Sequence, residues 1–160
     1  MQKRKGNIIM VIIGSDHGGY VTKEFLKKYF DKNKIPFADV GCDGSAVDYP
    51  DIAEAVCQKV LKSPENCGII VCGTGIGVSI AANKIDGIRA ALCSDYYSAK
   101  LTRLHNDSNV LCIGGRTIGE EVALELAKVW LETDFSGDAR HIARVKKITE
   151  LEVKAKGENA

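Results

Sequence analysis

The sequence has almost no net charge: 22 lysines and arginines face 21 aspartates and glutamates, a formal +1 over 160 residues. No field of one sign is available to hold DNA or an anionic membrane surface, so an anion must be held by local groups. Long apolar runs are missing as well. Ile8 to Ile13, only six residues, is shorter than the roughly 7–15 residues of a signal-peptide core, and Ser15, Asp16 and His17 stand where a cleavage site should be. Nothing approaches the about 18 apolar residues of a membrane span. Linkers, internal repeats and low-complexity segments are absent. With 45% hydrophobic residues, one globular domain over residues 8–153 is expected, with flexible termini at 1–7 and 154–160. The six cysteines, Cys42, Cys57, Cys67, Cys72, Cys93 and Cys112, include no pair at two-residue spacing, and most sit within or beside apolar runs. That spacing speaks against a disulfide framework and a zinc site, and for a reducing, cytoplasmic setting.

What is present is an alternation of short apolar runs with segments of helical period. The runs are Ile8 to Ile13, Phe37 to Val40, Gly68 to Cys72, Arg89 to Cys93 and Val110 to Ile113. All but the second lack polar alternation, which predicts strands buried on both faces of a parallel sheet. Between them, Val21, Phe25, Leu26, Tyr29 and Phe30 form one helical face and Ile52, Val56 and Val60 another. Ile118, Val122, Leu126, Val129 and Trp130 mark the longest expected helix, and Ile142, Val145 and Ile148 a last one after a break at Phe135 to Asp138. The pattern predicts a doubly wound, Rossmann-like α/β fold: a mostly parallel five-stranded sheet, helices on both faces and an extra C-terminal helix.

In such sheets ligands bind beyond the carboxyl ends of the strands, so the residues after each strand describe the site. After the third strand, Cys72 is followed by Gly73, Thr74, Gly75, Ile76, Gly77 and a helix. Alternate glycines remove side chains where backbone amides must approach a ligand, and the helix start adds free N–H groups, which favour thiolate and bind oxyanions. The spacing is not that of a dinucleotide fingerprint. The plainer reading is a cysteine that merely closes a core strand.

Asp16 and His17 occupy a glycine-bracketed loop after the first strand, and Asp48 and Tyr49 follow the second. A capping aspartate and a solvated histidine would explain the first pair equally simply. His105, Asn106 and Asp107 end a helix ahead of the fifth strand; a histidine there can be only a dipole partner, or a positioned acid. Arg140 and Arg144 lie one turn apart and repel unless an anion sits between them, although a solvated face would also carry them. Arg116, after Gly114 and Gly115, is a third candidate for the same anion. A thiolate base, an imidazole acid, an amide-lined oxyanion pocket and an arginine cluster together suit proton abstraction beside a carbonyl, as in a sugar phosphate aldose–ketose isomerase. No metal or redox cofactor is called for.

The segments GSDHGG (14–19), DYPD (48–51), CGTGIGVSIAAN (72–83), GIRAA (87–91), HNDSNV (105–110) and RHIARV (140–145) together resemble ribose 5-phosphate isomerase type B, in the family that includes the galactose 6-phosphate isomerase subunits. The resemblance runs in order from about Val11 to Leu151. It implies Cys72 as the proton-abstracting base, Gly73 to Gly77 as the anion hole around the enediolate, with Thr74 a further contact, and His105 as the acid that opens the furanose ring. It implies Asp16 and Asn106 on the sugar hydroxyls, Tyr49 at the substrate, and His17, Arg116, Arg140 and Arg144 on the phosphate. It further implies a homodimer, or a tetramer built from it, with the site at the subunit interface. A six-carbon sugar phosphate, a phosphosugar-binding module without turnover, and thiol redox chemistry at Cys72 are the competing readings.

Overall fold

Strands and helices alternate throughout residues 10–157, the part of the chain that the computed structural model describes. The order is β1 (Val11–Ser15), α1 (Tyr20–Lys32), β2 (Phe37–Asp39), α2 (Tyr49–Val60), β3 (Cys67–Cys72), α3 (Ile76–Ala82), β4 (Ala90–Leu92), α4 (Tyr96–Asn106), β5 (Val110–Gly114), α5 (Glu120–Glu132) and α6 (Ala139–Gly157). The strands form one wholly parallel sheet in the order β2-β1-β3-β5-β4. Strands of period two with both faces apolar need a cover on each side. Val11, Ile13, Ile69, Val71, Leu111 and Ile113 pack with residues of α1, α4 and α5, including Leu26, Ala99 and Trp130. Ile12, Ile70, Cys72, Val110 and Cys112 pack with α2 and α3. The doubly wound α/β architecture is therefore the fold of this chain.

Several local expectations change. Residues 1–7, 158–160 and the first apolar pair, Ile8 and Ile9, lie outside the described residues. The first strand begins at Val11 and continues to Ser15, past the end of its apolar run. Arg89 to Cys93 reads as a strand buried on both faces, but β4 is three residues long at the sheet's edge with Leu92 exposed. A continuous apolar run cannot tell a central strand from an edge strand. The longest helix is α6, not α5; it runs on to Gly157, so residues 154–157 are helical rather than an extended tail. Its apolar residues Ile142, Ile148, Leu151 and Val153 are exposed. Val122 of α5 is also exposed, and Ala123 and Ala127 take the buried face.

On α1 the inward face is shifted: Val21 is exposed, while Thr22, Lys23, Leu26 and Phe30 are buried. Lys23 is 1% exposed, and its Nζ donates to Asp39 Oδ1 (3.0 Å) and Oδ2 (2.8 Å) and to the Cys42 carbonyl (2.8 Å). Lys27 adds a second ammonium at 2.7 Å from Asp39. Burial alone would raise the Asp39 carboxyl, but hydrogen bonds from Lys23, Lys27 and the Gly41 N–H outweigh it and hold the group below its ordinary 3.8. A lowered carboxyl stabilises the fold above the unfolded-state value, and that contribution disappears as pH falls through the folded-state value. Thermal denaturation followed downward from pH 5 should therefore show a loss of stability in wild type below about pH 4. Asp39→Ala, which strands a buried ammonium, should cost about 3 kcal/mol at neutral pH and flatten that acid limb.

Candidate active site

The carboxyl ends of β1, β3 and β5 carry three loops that touch one another. The Gly115 N–H donates to the Cys72 carbonyl (2.8 Å), the Arg116 N–H to the Gly73 carbonyl (2.9 Å), and the Asp16 N–H to the Val71 carbonyl (3.3 Å). The approach is too close for side chains at several points. A Cβ on Gly18 would lie 3.0 Å from the Gly73 nitrogen, and one on Gly114 2.6 Å from the Thr74 carbonyl oxygen. Gly75 stands at φ +76°, in the left-handed region that favours glycine, and directly caps α3. The turn this permits brings the Gly75 N–H back to Cys72 Sγ at 3.1 Å. The sulfur's residue is buried, 4% exposed, at the floor of the rim.

The loops at the carboxyl ends of β1 and β3, the starts of α2 and α3 and the loop after β5 carry Asp16, His17, Tyr49, Gly73, Thr74, Ile76, Gly77 and Arg116. Asp16 is buried and accepts the Gly19 N–H (3.1 Å), which fixes the loop carrying exposed His17. Arg116 lies over Gly73, with Nη1 3.6 Å from where a Cβ would be. The Tyr49 ring, at the start of α2, covers Gly77 so closely that a Cβ there would meet Cε2 at 2.7 Å. Thr74 Oγ1 accepts the Ile76 N–H at 3.3 Å. Thiol, carboxylate, imidazole, guanidinium and backbone amides are thus carried at the carboxyl ends of the strands.

His105, Asn106, Arg140 and Arg144 are not there. Helix α4 runs back across the sheet, so His105 and Asn106 sit at its end, just before β5 begins at Val110. Cys72 pairs with Gly114 at the other end of β5. Four residue steps of strand, about 13 Å, separate the two levels. The start of α6 joins the distant group: the rings of His105 and His141 lie 4.3 Å apart between centroids. Arg140 and Arg144, beside it, are exposed. His141 is buried, its Nδ1 2.8 Å from Ser136 Oγ, and burial, then His105 and Arg140, lower its pKa from 6.5, while Asp138 opposes them. The sequence reading passes over His141, although it stands inside the 140–145 motif one residue after Arg140.

Three thiols elsewhere in the core are held protonated by their surroundings. Burial pushes Cys57 up to about 12, burial and then Asp95 push Cys93 up to about 11, and Cys112 is raised well above 9.0. Cys42, Cys57, Cys72, Cys93 and Cys112 are free thiols. No group of three or more metal-ligating side chains occurs among the described residues.

The ribose/galactose isomerase family matches residues 11–148. The chain belongs to the ribose/galactose isomerase family. Ribose-5-phosphate isomerase B of Escherichia coli is 41% identical over 143 residues, 89% of this chain and 95% of that one. A D-erythrulose-4-phosphate isomerase of Mycolicibacterium smegmatis is 38% identical over 148 residues, 90% and 97% of the two chains. The structure of Clostridium thermocellum ribose-5-phosphate isomerase B superposes with a TM-score of 0.87 at 45% identity, covering 91% of this chain and 99% of that one. For a member of this family, the resemblance drawn from the sequence motifs holds along nearly the whole fold. No helix among the described residues is long and apolar enough to cross a membrane.

Proposed function

We propose that this chain is an aldose–ketose isomerase interconverting D-ribose 5-phosphate and D-ribulose 5-phosphate, as a single domain over residues 8–153 in a cytoplasmic setting. The observation that carries the reading is Cys72 at the carboxyl end of β3, its sulfur receiving the Gly75 N–H at 3.1 Å inside a turn lined with backbone amides. A thiolate there is a base beside an oxyanion pocket. The ribose-5-phosphate isomerase B relatives support the five-carbon substrate.

In this reading His105 moves a proton between the ring oxygen and the C1 hydroxyl, opening the sugar to its aldehyde. Cys72 then takes the C2 proton, and the C2–H electron pair becomes the C1–C2 double bond of an enediolate. Its negative oxygen falls among the amides of Gly73 to Gly77, where one donor is worth on the order of 10²–10³ in rate. Cys72 returns the proton to C1 while the O2 proton passes to O1, with Thr74 in contact, giving the ketone at C2. No electrons enter or leave, and no cofactor takes part. Asp16 and Asn106 hold hydroxyls, Tyr49 bounds the pocket, and His17, Arg116, Arg140 and Arg144 take the phosphate.

Those roles require residues from both edges of the sheet, which a lone chain holds apart. A two-fold partner turned end to end would bring the His105 and α6 group of one copy over the Cys72 rim of the other. Exposed Ile76 and Ile80 on α3, Leu92 on the edge strand, Tyr96 and Tyr97 flank that rim and supply apolar area for such a contact. A homodimer is therefore the minimal active form, and a tetramer would add a second interface.

The Mycolicibacterium relative makes substrate length a live alternative. Initial rates on four-, five- and six-carbon aldose phosphates should give the highest kcat/KM for ribose 5-phosphate. A higher value for a tetrose or hexose phosphate would reassign the substrate, and binding of all three without turnover would leave only a phosphosugar-binding module.

A further inference from the structure

We propose that Asp107 is the positioning residue for ring opening, a role that rests on the assignment of His105 above. Asp107 terminates α4 in the left-handed region, at φ 47° and ψ 45°. Aspartate, asparagine and glycine visit that region; most other side chains avoid it. The residue thereby turns the chain sharply out of the helix just after His105 and Asn106.

Its carboxylate is held from two directions. Arg89, from the segment leading into β4, donates Nη2 to Oδ2 at 3.0 Å and Nε to the Asp107 carbonyl at 2.9 Å. Arg103, one turn back on α4, donates Nη1 to Oδ1 at 3.2 Å. Arg103 is itself fixed: it is buried, lies 5.4 Å above the Trp130 ring, donates Nε to the Thr133 carbonyl at 3.2 Å, and bonds the Ser108 carbonyl. Two planar guanidiniums anchored on different elements leave a carboxylate little freedom of direction.

The surrounding bonds extend the brace. Asn109 Oδ1 accepts the Arg89 N–H (2.8 Å) and its Nδ2 donates to the Gly87 carbonyl (2.8 Å). The Ser136 N–H donates to the Leu104 carbonyl (3.1 Å), tying the start of α6 to the same turn. The His105 and His141 rings meet at this frame, 4.3 Å apart and tilted by 38°, so a change in the angle at which α4 ends moves one imidazole against the other. None of these contacts reaches the Cys72 rim of the same chain. Loss of the brace should spoil the ring step while leaving enediolate chemistry in place.

Ribulose 5-phosphate separates the two steps, because its C5 oxygen is esterified and it has no furanose form. Exchange of its C1 proton with D2O needs Cys72 but no ring chemistry, whereas turnover of ribose 5-phosphate needs both. Asp107→Gly keeps the backbone turn and removes the carboxylate; Asp107→Asn keeps the turn and one acceptor. In the full-length protein, Asp107→Gly should lower kcat for ribose 5-phosphate by about 100-fold, within the range of a lost general acid. At saturating ribulose 5-phosphate, C1-proton exchange should stay within about threefold of wild type. Any loosening of Asn106, Arg140 and Arg144 on the same frame should appear in KM, and the turnover of Asp107→Asn should fall between wild type and Asp107→Gly. Two results would overturn the proposal: exchange and turnover falling together, as for a general structural lesion, or Asp107→Gly turning over ribose 5-phosphate like wild type. Absence of ribose 5-phosphate turnover in wild type would instead remove the parent assignment.

Discussion

Cys72→Ala will reduce interconversion of ribose 5-phosphate and ribulose 5-phosphate by at least about 10³-fold, the range expected when a general base is removed. The backbone around the sulfur is braced independently of it: the Cys72 carbonyl accepts the Gly115 N–H and Gly73 is held by the Arg116 N–H. The alanine protein should therefore fold and still bind substrate, so the loss belongs in kcat more than in KM. Serine is no substitute, since a hydroxyl is a far poorer source of a basic anion at neutral pH. Alkylation supplies a second readout. Iodoacetate attacks thiolates, and burial keeps Cys57, Cys93 and Cys112 protonated at neutral pH. The label should fall on Cys72, with a pH dependence matching that of turnover, and substrate should slow it. Activity retained by Cys72→Ala, or inactivation by labelling at Cys42 alone, would refute the assignment.

Equally large is the effect expected from mixing two inactive proteins. Cys72→Ala and His105→Ala should each be almost inert as purified. When equal amounts are unfolded together and refolded, random pairing places half of the chains in mixed dimers. Each mixed dimer has one site lacking both groups and one site lacking neither, so about one quarter of wild-type activity should return. If His105 served the Cys72 of its own chain, every site in every dimer would lack one group and no activity would return. The experiment reads the geometry directly, because the length of β5 separates the two groups within a chain.

Much of the architecture was legible because buried parallel strands carry an unmistakable pattern. Ile69 to Cys72 and Val110 to Ile113 are apolar on both faces and are central strands. The rim around Cys72 was legible for a related reason: its residues follow their strands directly, so chain order placed them. His105 and the arginines carry no such marker, since helices return the chain to the opposite edge and one sequence cannot state how two copies meet. The inward face of α1 was drawn through Val21 for a different reason. Periodicity treats a lysine as an outward residue, and only the carboxylate of Asp39, sixteen positions on, makes it an inward one. Val21 accordingly took its place on the expected face. The exposed flank of α6 and the edge position of β4 share one feature, apolar residues that the rest of the described chain leaves uncovered.

On the roles proposed here, placing the base and the ring-opening histidine at opposite ends of the strands ties catalysis to encounter. On those roles a newly made chain would complete its core, order its glycine turn and still do nothing to a sugar until it met a twin. At high dilution, specific activity should decline with protein concentration even though each molecule keeps its native conformation. Assembly, rather than folding, would then be the event that switches this protein on.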